Sequence, residues 1–70
     1  MYKEVFAERI TDARKENKLS QREAAEHLKI SKSTIASYET GRTQPDLETL
    51  GKLSKLYCHS IDYFLGLADD

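Results

Sequence analysis

The stretch Leu19–Arg42 reads LSQREAAEHLKISKSTIASYETGR. It opens on Ser20-Gln21-Arg22-Glu23, the capping-box spacing: the serine oxygen accepts the backbone N–H three residues on, and the glutamate reaches back to the serine N–H. This predicts a helix start at Ser20, with Leu19 and Ala24 placed to close an apolar staple across it. Ala25 and Leu28 continue a stripe of small and apolar side chains. Only Lys29 and Ile30 precede a second cap, Ser31, which Ile30 and Ile35 bracket as a second staple. The helix that follows runs to about Thr40. Gly41 stands where a helix end favours a left-handed residue, and Gly41-Arg42-Thr43-Gln44-Pro45 reads as a loop. Two helices of about eight residues joined through Leu28-Lys29-Ile30-Ser31 form a tight corner, a helix-turn-helix unit over about residues 20–40.

The flanks are helical as well. Phe6, Ile10 and Ala13 recur at helical spacing with Arg14 beside them, while Glu4, Glu8, Asp12 and Lys15 populate the other face, so a first helix is predicted from about Lys3 to Asn17. On the other side, Asp46 caps a fourth helix whose apolar side is Leu47, Leu50, Leu53, Leu56 and Tyr57. Ser60 caps a last short helix, Ile61 to Leu65, stopped by Gly66. No alternating run bounded by turns suggests a strand. The expectation is an all-α chain, five helices in one domain over residues 1–70.

Composition narrows the function. Seventy residues with 39% apolar and 33% charged side chains are a globular mix, too short for a large catalytic cleft. Such a chain buries only about 60% of its unfolded surface, so any added helix contact, including one with a second copy, matters. The single cysteine, Cys58, forms no internal disulfide, and a reducing compartment fits it. No apolar run approaches the roughly 18 residues of a membrane span, and Met1-Tyr2-Lys3-Glu4 lacks a signal-peptide layout, so a soluble cytoplasmic protein is expected. Cys58, His59 and His27 are the only soft metal ligands, short of the about four that zinc requires. No Gly-rich phosphate loop, apolar carboxylate pair or supported Ser/His/Asp order is present. Neither enzyme activity nor a metal, cofactor or small-molecule ligand is expected. Tyr2, Tyr57, Tyr63 and Phe64 read as core or interface rather than a base-stacking platform.

The net charge of −1 hides a gradient. Residues 14–42 carry seven basic against four acidic residues, a net +3, whereas residues 1–13 carry −1 and residues 43–70 carry −3. Within the third helix, Ile35, Tyr38 and Glu39 lie at i, i+3 and i+4 and form an inward face, which turns Lys32, Ser33, Ala36, Ser37 and Thr40 outward. That outer face is short, polar and slim, as entry into a major groove about 12 Å wide requires. Lys32 can donate to guanine O6 or N7, and Ser33 and Ser37 can bond several bases. The same features suit any solvated surface helix, so pattern alone leaves nucleic-acid binding and a plain surface face both open.

Taken together, Arg14, Leu19-Ser20-Gln21-Arg22-Glu23-Ala24-Ala25, Ile30 through Arg42, Pro45 and Ser60-Ile61-Asp62-Tyr63-Phe64-Leu65-Gly66 resemble the helix-turn-helix family of phage repressors and Cro, the XRE-type regulators. The resemblance spans nearly the whole chain and rests on order and spacing rather than on any one piece. It implies a compact, five-helix, lambda-repressor-like domain that binds double-stranded DNA, with the third helix in the major groove. By position, Lys32, Ser33 and Ser37 look like the base readers, with Thr34 and Ala36 placed for a phosphate or a thymine methyl. Gln21 looks like the residue whose backbone N–H and amide hold a phosphate at a helix start. Ser20, Thr40, Arg42 and Thr43 resemble further backbone clamps. Arg14 and Glu39 match positions that pair to tie the first helix to the third. Where many relatives have glycine at the corner this chain has Lys29, and where the family often has glycine-valine before the last helix it has Cys58-His59.

The implied function is a sequence-specific transcriptional regulator, a repressor occupying an operator. The alternative is a protein-interaction module, such as an antitoxin domain, with weak or no DNA binding, which the near-neutral charge favours. Ile61, Tyr63, Phe64, Leu65 and Leu67 place more apolar groups in seven positions than a short terminal helix buries alone, which leaves two readings open, core packing against the first helix or a homodimer interface there with a palindromic operator.

Overall fold

A computed structural model describes residues 2–69, with side chains from residue 3 onward. Five helices follow one another: α1 (Tyr2–Glu16), α2 (Gln21–Leu28), α3 (Lys32–Glu39), α4 (Leu47–Tyr57) and α5 (Ile61–Phe64). Each of the last four starts on the side chain expected of it. Ser20, Ser31, Asp46 and Ser60 sit in extended backbone and accept the N–H groups of Glu23, Thr34, Thr49 and Tyr63. At Ser20 the box is closed in both directions, with the Ser20 N–H donating to Glu23 Oε1 at 2.8 Å.

The helices also stop alike. Lys18, Lys29 and Cys58 take left-handed backbone at φ 58°, 58° and 61°, and Gly41 and Gly66 take it at 79° and 77°. After each, the next N–H turns back to a carbonyl five residues earlier: Leu19 to Arg14, Ile30 to Ala25, Arg42 to Ser37, His59 to Ser54 and Leu67 to Asp62. Leu19 and Ile30 then pack on the core and close these turns with apolar contact. The corner of the helix-turn-helix unit therefore keeps the left-handed shape that glycine would give it, carried here by a lysine, and Cys58 does the same before α5.

The core joins all five helices: Phe6, Ile10 and Ala13 from α1, Ala24, Ala25 and Leu28 from α2, Ile35 and Tyr38 from α3, Leu50, Leu53 and Tyr57 from α4, and Phe64 from α5. Alanines let α2 approach closely. A run of edge-to-face rings, Tyr38 to Phe6 to Phe64 to Tyr57, crosses it with centroids 6.4, 6.3 and 6.5 Å apart.

Two expectations need correcting. Leu47 is 85% exposed rather than on the buried side of α4. It is the first residue of that helix, where the turn overhangs the edge of the core. Phe64, expected in a dimer interface, is fully buried; the last helix is short but delivers its ring between Phe6 and Tyr57. The remaining apolar residues of that segment divide: Tyr63 and Leu65 are half-buried, while Ile61 and Leu67 are exposed.

The C-terminal segment is fastened by a residue whose role the sequence pattern did not indicate. Arg9 donates to the Tyr63 and Ala68 carbonyls at 2.7 and 2.6 Å, and its guanidinium lies 4.5 Å from the centre of the Tyr63 ring. His59 stacks on the same ring at 4.0 Å and its Nε2 lies 3.0 Å from Glu16 Oε1. Arg9 is three residues from Phe6 and four from Ala13, so it borders the buried stripe of α1, and that position is the signal that points to it.

Candidate nucleic-acid interface

α2 and α3 pack on each other around Ala24, Ala25, Leu28 and Ile35, and α1 packs on α3 from the other side. What remains outside on α3 is a ridge. Lys32, Ser33 and Thr40 are exposed, and Thr34, Ala36 and Ser37 are half-buried along its flanks. Ile35 and Tyr38 point inward as the i, i+3 spacing predicts.

The hydroxyls on this ridge are partly committed. Ser31 Oγ lies 2.8 Å from Thr34 Oγ1 and 3.1 Å from Ser33 Oγ, a small network around the cap. The Ser37 carbonyl accepts the Arg42 N–H at 3.0 Å, the Thr43 N–H at 3.4 Å and the Thr40 hydroxyl at 3.3 Å. These bonds hold Arg42 and Thr43, both exposed, against the C-terminal end of α3.

The ends of the helices carry an electrostatic contrast. α1, α2, α4 and α5 each place an acid in the first turn, Glu4, Glu23, Glu48 and Asp62, which complements the positive helix N-terminus. α3 has no acid there and begins with Lys32. A cation at that end works against local helix stability and leaves the free N–H groups of the first turn available to an anion. Arg22 on α2 and Arg42 after α3 are exposed as well. The ridge thus offers an array of donors and positive charge.

Its orientation is set by an ionic knot. Arg14 Nε donates to Glu39 Oε2 at 2.7 Å, Nη2 donates to Oε1 at 3.1 Å, and Nη1 donates to the Leu19 carbonyl at 2.8 Å. The two side chains keep 12% and 6% of their exposure. The hydrogen bonds to Glu39 hold the Arg14 guanidinium above its ordinary pKa. Gln21 completes the knot, its Nε2 donating to Glu39 Oε1 at 3.0 Å. The end of α3 is thereby tied to α1, to the α1–α2 turn and to the start of α2. The side-chain amide of Gln21 is committed to Glu39, and its backbone N–H, in the first turn of α2, has no acceptor within the helix.

The buried Tyr57 hydroxyl lies in the field of this pair without bonding to it. Among the described residues it is the buried side-chain polar atom with no partner, and desolvation raises its pKa to about 12.

Ser20 spends its hydroxyl on its own helix, while Cys58 is exposed at the cap that ends α4. Among the described residues, no three His, Cys, Asp or Glu side chains gather as metal ligands would. No described helix is long and apolar enough to cross a membrane.

Comparison with known proteins places this geometry. The helix-turn-helix family profile matches residues 10–64. The chain is 44% identical over 61 residues to the transcriptional regulator ImmR of Bacillus subtilis, covering 87% of this chain and 48% of ImmR. It is 42% identical over 53 residues to RstR, a transcriptional repressor of the cryptic phage CTXphi from Vibrio cholerae, covering 76% of this chain and 48% of RstR. It is 39% identical over 66 residues to the HTH-type transcriptional regulator YobD of B. subtilis, covering 94% of this chain and 59% of YobD. The chain spans about half the length of the curated relatives it matches. No solved structure matches it significantly. The match over residues 10–64, with the Ser20 and Ser31 caps and the tight corner between them inside it, shows that the chain belongs to the helix-turn-helix family.

Proposed function

We propose that the protein is a sequence-specific DNA-binding transcriptional regulator, a repressor that occupies an operator with α3 in the major groove. The observation that carries this reading is the ridge of α3, slim and polar, with Lys32 where the other helices place an acid. Lys32, Ser33 and Ser37 read base edges. Arg42, Thr43, Thr40 and the N–H groups at the start of α2, from Gln21 behind the Ser20 cap, take phosphates, with Thr34 and Ala36 on the groove wall. The relatives' names, transcriptional regulators and a phage repressor, support the same assignment. The protein acts in the cytoplasm of a bacterium or of a phage host, as a homodimer on a palindromic operator. A molecule of 28 × 22 × 20 Å allows two contacting copies to set their α3 helices one DNA turn, about 34 Å, apart.

Duplex selection from random DNA followed by a salt titration tests this. Two exposed cations per copy placed at phosphates, Arg22 and Arg42, give a slope of log K against log salt of about −1.8 for one copy and about −3.6 for two. Between 50 and 200 mM salt the two-copy complex weakens by about 10²-fold. Lys32→Ala relaxes preference at one base pair, at a cost of about 1–3 kcal/mol there, and Arg42→Ala weakens all sequences alike. Failure to retain any duplex at low salt overturns the reading. It would favour the second one, a protein-interaction module such as an antitoxin domain, to which the net charge of −1 is suited.

A further inference from the structure

The exposed Leu47 at the start of α4 has a hole beside it. A cleft of about 240 Å³ opens between the start of α1, the α3–α4 loop and the end of α5, lined by Phe6, Pro45, Leu50 and Leu65 with Lys3 and Gln44. An apolar cavity of about 150 Å³ accepts a benzene-sized group, so this cleft has room for a leucine side chain. Leu47 lies one turn from Leu50 on α4 and so stands at the lip of the cleft rather than in it. At 85% it is the most exposed large apolar side chain among the described residues.

A knob and a hole on the same face are what a two-fold contact between identical chains requires, since each copy then offers its knob to the other's hole. Charge supports that occupant. Leu47 is flanked by Asp46 and Glu48, both exposed, whereas the hole carries Lys3, also exposed. Seating Leu47 in a second copy therefore brings an acid pair toward a lysine on both sides of the axis, and an unrelated apolar partner has no such match built in.

We propose that the chain pairs with a second copy through this face, Leu47 of each entering the Phe6–Pro45–Leu50–Leu65 cleft of the other. This deepens the homodimer reading above, on which it rests, and moves the contact away from α5. Of the apolar residues from Ile61 to Leu67 only Leu65 lines the cleft, Phe64 being core and Ile61 and Leu67 outside it. The α3–α4 loops then lie beside the axis, with α3 free on each copy. The patch is small, so free protein associates weakly and pairing is completed when two half-sites hold the copies side by side.

Sedimentation equilibrium of the free chain at high concentration, read together with binding to a selected duplex and to its single half-site, tests the proposal. Leu47→Asp removes no core contact, and an unchanged melting temperature verifies that. It is expected to abolish self-association and to weaken two-site binding by at least about tenfold, leaving half-site binding unchanged. Lys3→Glu and Glu48→Lys each weaken association, and the double reversal restores it. Association that survives Leu47→Asp but is lost in Leu67→Asp overturns this contact and leaves the homodimer reading standing. A wild-type chain that stays monomeric and binds two half-sites no better than independently overturns both. Association with no duplex binding upholds the contact and sinks the DNA-binding function instead.

Discussion

Removing one partner of the Arg14–Glu39 pair gives the sharpest test of what holds the third helix in place. Glu39→Gln keeps the side-chain shape but removes the charge, so the Arg14 guanidinium, 88% withdrawn from solvent by its packing, retains the Leu19 carbonyl as its one strong acceptor. Gln21 loses the charged acceptor as well. Breaking a buried pair in this way costs about 3–5 kcal/mol. Because both side chains are less than one-eighth exposed, solvent screening does not erode that figure greatly. A chain of 70 residues has a total stability of only about 4–10 kcal/mol, so the single variant is close to unfolding at ambient temperature. Arg14→Met strands the carboxylate and is expected to cost a similar amount. The double variant Arg14→Met with Glu39→Gln leaves no buried charge, and Gln21 is half-exposed and rehydrates, so its loss is expected to be about 0–2 kcal/mol. Thermal unfolding followed by circular dichroism reads these differences, at about 4–8 °C per kcal/mol for a domain of this size. Small, additive losses from the two single substitutions would show that Arg14 and Glu39 do not hold the end of α3 as a pair, since a pair that does must show strong coupling in the cycle.

Three further outcomes follow from backbone, burial and titration. Lys29→Gly relieves a left-handed lysine at φ 58° and is expected to stabilise by about 0.5–1 kcal/mol, after the extra freedom of glycine in the unfolded chain is deducted; a loss of stability in chemical denaturation would show that the corner does not hold this shape. Tyr57→Phe removes a buried hydroxyl with no partner and is expected to be neutral or up to about 1 kcal/mol more stable at pH 7. Since the folded pKa is raised from 10.0 to about 12, this tyrosine's contribution is complete below pH 10 and lost as pH rises toward 12, and that alkaline limb shrinks in the phenylalanine variant. On the acid side, Glu23 and Asp46 are held below their ordinary pKa, Glu23 by the Ser20 backbone N–H and hydroxyl and Asp46 by the Thr49 hydroxyl and N–H. Their contribution is present above the usual carboxylate range and lost as pH falls through the lowered values, so melting temperature declines below about pH 4 and declines less in Glu23→Gln. A Glu23→Gln profile identical to wild type through that range would contradict the closed capping box.

The helices were legible because their starts and stops are local. A serine or aspartate followed by an N–H three residues on is a short-range event, and four such caps fall where the residues put them. The inward face of α3 was legible for the same reason, since Ile35 and Tyr38 are one turn apart. What depends on distant parts of the chain was not. Leu47 has the spacing of a core residue, and only the end of the core under α4 leaves it outside. Phe64 looked like surplus until α1 and α4 closed around it. The Gln21 amide could have faced outward; Glu39, eighteen residues away, captures it. The turn after α3 folds back on Ser37, whose carbonyl accepts the Arg42 and Thr43 N–H groups, a contact that periodicity within one helix does not specify.

The proposed function depends above all on contact between the α3 ridge and the duplex. Amide chemical-shift mapping of isotope-labelled protein titrated at low salt with a selected duplex addresses it residue by residue. The largest changes are expected at Gln21, Arg22, Lys32, Ser33, Ser37, Arg42 and Thr43. Binding with those amides unmoved, and the changes gathered instead on the outer face of α4, would contradict it.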